Sequence, residues 1–236
     1  MKIGLAQYKF INGDVAYNIS QIRKAVKEVK GKADLLCFGE SFLQGFDSLT
    51  WNNEKDKDVA VEICSEEIDC IRNISKENNL AILFGYFEKD NENIYSSCLL
   101  IDDGECIHNY RRVSTGWKDS SQTNNHYKEG NEIKSFKYKD KTFEIALCGD
   151  LWDDDWNRFI TDSIVLWPVY VNYSLDEWKT EENEYLEQAA KISKNVLMIN
   201  SLSEDPVSHG GAFHFKEGSL VKGLPYDEEG VLLIEI

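Results

Sequence analysis

Strand and helix patterns alternate along the 236 residues with short connections, which predicts an α/β domain carrying a mixed sheet or a pair of sheets. Short apolar runs at residues 3–7, 34–38 and 80–87 are separated by stretches of helical periodicity. A strand–helix–strand order with short connections implies parallel pairing. No linker, internal repeat or low-complexity tract interrupts the chain, so residues 1–236 are expected to form one domain.

Each element has its own reason. Residues 3–7 form a short apolar strand. Gly13-Asp14 opens a helix with Asp14 as N-cap. Ile19, Ile22, Val26 and Val29 recur at spacings of three and four, one helical face, and Gly31 ends it. Residues 34–38 are apolar after Asp34 and read as a buried strand. Residues 58–79, with Val59, Ile63, Ile71 and Ile74, read as a helix ending in Asn78-Asn79, and 80–87 as the next strand. Segments 94–101 and 105–110 flank Asp102-Asp103-Gly104, a hairpin turn. Residues 111–131 are polar and irregular, and a loop this long is more often functional than idle. Residues 142–147 form a strand that ends at Cys148-Gly149-Asp150. A strand at 163–167, a helix at 177–195 and a strand at 196–200 follow. Strands at 212–215, 219–222 and 231–236 close the chain.

Composition narrows the function. There are 26 basic and 42 acidic side chains, a net charge of −16. That argues against a nucleic-acid face, which needs clustered Lys and Arg, and against anionic membrane surfaces. No apolar run approaches the ~20 residues that span a bilayer, and the N-terminus shows no secretory h-region. The six cysteines form no C-x-x-C pair, so zinc is not expected and a reduced, cytoplasmic setting fits best. Asp153-Asp154-Asp155 do not converge on one point and suit a helix N-terminus better than a metal. No cofactor is expected.

Ligands in α/β folds bind at the carboxyl ends of parallel strands. Glu40 and Cys148 stand at two such ends. A cysteine at a strand-to-helix turn sits where a helix N-terminus can lower its pKa, and a nearby glutamate can serve as its base. Equally, Cys148 could be a buried structural thiol and Glu40 a loop carboxylate. Cys37, Cys64, Cys70, Cys98 and Cys106 lie inside strand or helix patterns and read as bystanders.

Five segments in order carry a resemblance. They are Lys2-Ile3-Gly4-Leu5-Ala6-Gln7 with Gly13-Asp14 and Asn18; residues 33–42, around Glu40, with Gly45-Phe46; Tyr110-Arg111-Arg112; Leu147-Cys148-Gly149-Asp150-Leu151-Trp152; and Gly210-Gly211-Ala212 with Glu217-Gly218 and Glu228-Glu229-Gly230. Together they resemble the nitrilase superfamily of carbon–nitrogen hydrolases over nearly the whole chain. The resemblance implies a four-layer α-β-β-α sandwich, usually paired into homodimers. It implies hydrolysis of a small amide or nitrile without metal, with Cys148 as nucleophile, Glu40 as base and the Gly149 N–H on the oxyanion. Trp152, Tyr173 and Trp178 fall where the family builds its substrate pocket.

The pattern also departs from the family. Arg112 occupies the position of the catalytic lysine. Arginine can stabilise an oxyanion but is effectively never deprotonated. Lys118, six residues on, is a possible substitute cation. A second family glutamate is replaced around Thr123, Asn124 and Asn125, and Gly39 stands where proline is usual. A relative that has lost turnover and binds a small metabolite or a protein partner is the alternative.

Overall fold

The computed structural model describes residues 1–236. Strand β1 (Lys2–Gln7) pairs in parallel with β2 (Leu35–Cys37), and β2 in parallel with β3 (Ala81–Asp90). Helix α1 (Val15–Val29) connects the first pair. The one-turn helix α2 (Asn53–Asp56) and helix α3 (Glu66–Asn78) connect the second. Strands β4 (Asn93–Asp102) and β5 (Glu105–Arg111) extend this sheet as antiparallel neighbours, and β12 (Gly230–Glu235) closes its other edge against β1. The order is β12-β1-β2-β3-β4-β5.

The second sheet has β6 (Phe136–Tyr138), β7 (Lys141–Ile145), β8 (Ile164–Val169), β9 (Asn195–Glu204), β10 (Val207–Lys216) and β11 (Ser219–Gly223). Its order is β11-β10-β9-β8-β7-β6, with β7, β8 and β9 parallel. Helix α4 (Leu175–Ile192) lies on its outer side, against β9 and β10.

Strand alternation decides the layering. Leu35 and Cys37, with Ile3, Leu5 and Leu83, face the second sheet in a cluster of 34 buried residues that runs through to α4. Leu36, Phe38, Ile82 and Phe84 point the other way and meet Ile22, Val26 and Ile71 in a cluster of 22. Burying each such side chain contributes roughly 1.5–3 kcal/mol, so the larger inter-sheet cluster sets the rigid frame for what sits at the strand ends. The expected α-β-β-α sandwich is the observed one. No helix is long and apolar enough to cross a membrane.

Local chemistry matches several boundaries. Asp14 accepts the Tyr17 N–H at 2.9 Å, and Gly31 follows α1 at φ 71°. Asp103 and Gly104 take φ 47° and 79°, the mirror-image turn that hairpins favour. Three expectations need correction. The helix expected from residue 58 begins only after Ser65, whose Oγ accepts the Ile68 N–H; upstream, the backbone of Val61 pairs instead with Phe87 and Lys89. Strand β10 begins at Val207 rather than at residue 212, because its first half also pairs with β9; Gln7 Oε1 accepts the Gly211 N–H at 2.8 Å. The edge strand β6 was not expected, although Phe136 and Tyr138 alternate with lysines in the manner of an edge.

Candidate active site

The chain after β2 crosses toward the second sheet. The Phe38 N–H donates to the Leu83 carbonyl at 2.8 Å, and the Glu40 N–H to the Val169 carbonyl at 3.2 Å. Glu40 therefore lies between the sheets, fully buried. Its Oε1 accepts Ser96 Oγ at 2.9 Å and Arg112 Nη1 at 3.0 Å. Its Oε2 is buried with no partner in the protein. The glycine at position 39 has a local cause. A Cβ there would come within 2.5 Å of Ser201 Oγ and 3.0 Å of the Val169 carbonyl, so a proline or any other side chain would have to displace Ser201.

Arg112 follows β5 and is also buried. Besides Glu40, its Nε donates to Ser114 Oγ at 2.8 Å. A Cβ on Gly149 would lie 2.3 Å from Arg112 Nη2, so the guanidinium packs directly against the Cys148 turn and glycine leaves it room. Burial opposes the charge, but Glu40, Cys148 and Asp150 outweigh it and raise the Arg112 pKa. The cation is permanent.

Cys148 leaves the end of β7 at φ 42°, a left-handed conformation that is strained for a side-chain-bearing residue. Its carbonyl accepts Trp167 Nε1 at 3.0 Å, and its Sγ donates to the Tyr170 carbonyl at 3.7 Å. The thiol is not acidified as expected. Burial first, then the charge of Glu40, pushes its pKa up to about 12, against an opposing pull from Arg112. The turn that starts here, Cys148–Leu151, is a four-residue 3-10 segment, too short to supply the dipole of a long helix. A thiol held as S–H beside a carboxylate must be deprotonated during reaction rather than before it.

One carboxylate locks these pieces together, and sequence reasoning gave it no role. Asp150 is fully buried. Its Oδ1 accepts the N–H groups of Val113 (3.1 Å) and Ser114 (2.8 Å). Its Oδ2 accepts the Leu147 N–H (2.8 Å) and Tyr110 Oη (2.6 Å). It thus ties the Arg112 loop of one sheet to the Cys148 turn of the other. Asp150→Asn cannot reproduce this, because either amide orientation turns an NH2 toward at least one backbone N–H. The expected loss is about 2–3 kcal/mol, read as a lower urea midpoint with an unchanged slope.

The other expected residues are distributed as follows. Lys118 donates to the Tyr127 carbonyl at 2.6 Å and pairs with Glu129 at 2.5 Å; none of its bonds runs to Glu40 or Cys148. Trp152 is 42% exposed and packs against Tyr185 and Trp167, with ring centroids 5.1 and 6.0 Å away. Tyr173 meets Trp178 at 5.3 Å and Tyr185 at 6.5 Å. Trp178 is buried with its Nε1 unpartnered. Ser96, Ser114 and Tyr185 were missed. Only Tyr185 left a signal, on the apolar stripe Trp178, Tyr185, Ala189 and Ile192 of α4.

An (R)-stereoselective amidase from a Pseudomonas species is 23% identical over 151 residues, covering 64% of this chain and 52% of the amidase. The matched stretch thus spans about half the length of that relative. Among solved structures, a CN-hydrolase superfamily protein from Xanthomonas campestris, with an arsenic adduct in its active site, superposes with TM-score 0.82 at 16% identity, covering 99% of this chain and 89% of its own. An amidase from Nesterenkonia sp. AN1, with acrylamide added at its active-site cysteine, superposes with TM-score 0.81 at 18% identity, covering 100% of this chain and 93% of its own. At these identities the structures establish the fold. The family model described as carbon-nitrogen hydrolase matches residues 2–159, more than half of the sequence, and the chain belongs to the carbon–nitrogen hydrolase family.

Proposed function

We propose that this protein hydrolyses a small amide through a thioester on Cys148. The observation that carries the reading is the division of labour at Glu40: one carboxylate oxygen is held by Arg112 and Ser96, the other is buried and unpartnered, and the Glu40 charge bears on the raised Cys148 thiol.

The chemistry derives from those groups. As Cys148 Sγ attacks the amide carbon, its proton passes to Glu40 Oε2 and the carbonyl electrons move onto oxygen. The Gly149 N–H and the Arg112 guanidinium hold the resulting oxyanion electrostatically. Collapse breaks the C–N bond, and the leaving nitrogen takes the proton from Glu40. Water then attacks the thioester, giving one proton to Glu40, and sulfur recovers it as the carboxylic acid leaves. Arg112 contributes charge alone, because guanidinium cannot shuttle protons at these pH values. Lys118 acts on the structure of the 111–131 loop through Tyr127 and Glu129 rather than as the cation of the site. A nitrile could enter the same thioester route, but the amidase among the relatives favours the amide.

The test is ammonia release from a panel of small linear amides, with intact-mass detection of an acyl group on Cys148. Ammonia from the wild type, with a Glu40→Gln variant slowed at least ~100-fold, is the expected result. No ammonia and no acyl adduct from any member would overturn the reading and leave a protein that binds without turnover.

A further inference from the structure

The aromatic wall beside Cys148 ends in a carboxylate that the reaction above does not use. Helix α4 carries Trp178, Glu181 and Tyr185 at spacings of three and four, so these side chains share one face. From Tyr185 the wall continues to Trp167, with centroids 5.0 Å apart, and Trp167 Nε1 bonds the Cys148 carbonyl. Tyr173 and Trp152 flank Tyr185. The neighbouring acids on this part of the helix are occupied. Glu177 accepts the Ser174 N–H and hydroxyl in a capping box, Asp176 pairs with Lys179, and Glu182 accepts Tyr226 Oη at 2.9 Å. Glu181 is half-buried between them and takes part in no hydrogen bond or ion pair of the protein. Its charge reaches the hydroxyls of both Tyr173 and Tyr185, which also lie within the field of Cys148. The two tyrosines thus neighbour both Cys148 and a carboxylate that no other group of the protein holds.

Electron-rich ring faces beside an unpaired carboxylate form a receptor for an organic cation. We infer that Glu181, with Tyr173 and Trp152 backed by the buried Tyr185, binds a positively charged amine on the acyl side of the substrate, so that the preferred substrates are amides carrying an alkylammonium group. An anionic amide would meet Glu181 as a like charge. The net charge of −16 acts in the same direction, drawing cations toward the protein. This inference rests on the hydrolase reading for its kinetics, but the subsite can also be read by binding alone.

The experiment compares kcat/KM for γ-aminobutyramide, its neutral isostere pentanamide and the anionic succinamate, in wild type, Glu181→Gln and the exposed neighbour Glu184→Gln. The same proteins are titrated with n-butylamine as its ammonium ion, followed by tryptophan fluorescence. Wild type is expected to prefer γ-aminobutyramide by roughly tenfold or more, the scale of one charge-assisted contact. Glu181→Gln should remove that preference through KM, leave pentanamide unchanged and abolish the amine titration. Glu184→Gln should behave as wild type. Equal rates for the charged and neutral amides, a preference for succinamate, or an amine titration that survives Glu181→Gln would each overturn the subsite. If no amide is cleaved yet the amine binds wild type and not Glu181→Gln, the hydrolase reading falls and the subsite stands.

Discussion

Cys148→Ala should lower amide hydrolysis by on the order of 10⁴-fold or more, to whatever rate the bound site supports without its nucleophile. The loss should appear in kcat, with substrate still bound, because the oxyanion donors and the aromatic wall are untouched. The same variant carries a stability signature whose sign can be worked out. In the unfolded chain the thiol ionises near its ordinary value of 9.0, whereas burial and Glu40 hold it up to about 12 in the fold. Between those values the native protein binds more protons than the unfolded one, so stability falls as pH rises through this window. The contribution is complete below pH 9. Cys148→Ala removes that component, so its urea midpoint should drop less than the wild type's between neutral and strongly alkaline pH. Cys148→Gly, equally inactive, should be about 1 kcal/mol more stable than the alanine variant, because glycine adopts the φ of 42° at this position without strain.

Arg112→Leu is expected to cost about 3–5 kcal/mol, the penalty for leaving one member of a buried ion pair without its partner. Glu40 is fully buried, and Arg112 supplies its only ion pair, at 3.0 Å. Set against a typical total stability of roughly 5–15 kcal/mol, this brings the protein close to unfolding at room temperature. The loss is read as a lower urea midpoint of the variant against wild type, at an unchanged slope. Arg112→Lys separates charge from shape. The shorter donor set cannot bond both Glu40 and Ser114 and leaves a gap against Gly149, so stability should fall by less than in the leucine variant.

The strand-end positions of Glu40 and Cys148 were legible, because the position of a residue at the end of a parallel strand follows from strand patterning. The layering was legible too, since alternation in residues 34–38 sends Leu35 and Cys37 one way and Leu36 and Phe38 the other. What the chain does not spell out is cross-sheet electrostatics. Nothing local to Cys148 says that its thiol is held protonated, because the burial that chiefly raises it comes from tertiary packing and the carboxylate that adds to it is more than a hundred residues away in sequence. Asp150 was visible as a letter in a motif, yet its role depends on donors from Tyr110, Val113 and Ser114 on the opposite sheet. The helix placed too early, at 58, fails for a similar reason: apolar spacing at Val59 and Ile63 fits a helix, but the backbone of Val61 finds its partners on β3.

Glu40 and Arg112 hang from the first sheet and Cys148 from the second, so the distance between the proposed base and nucleophile is set by the spacing of two slabs. The catalytic rate then acts as a caliper on the sandwich. A displacement of about 1 Å between reacting groups can cost ~100-fold in rate, far more than the same displacement need cost in stability. Trimming a methylene where the slabs meet, as in Ile3→Val or Ile145→Val, should therefore dim activity before it loosens the fold, and the two measurements together would map how thickness is transmitted from the core to the site.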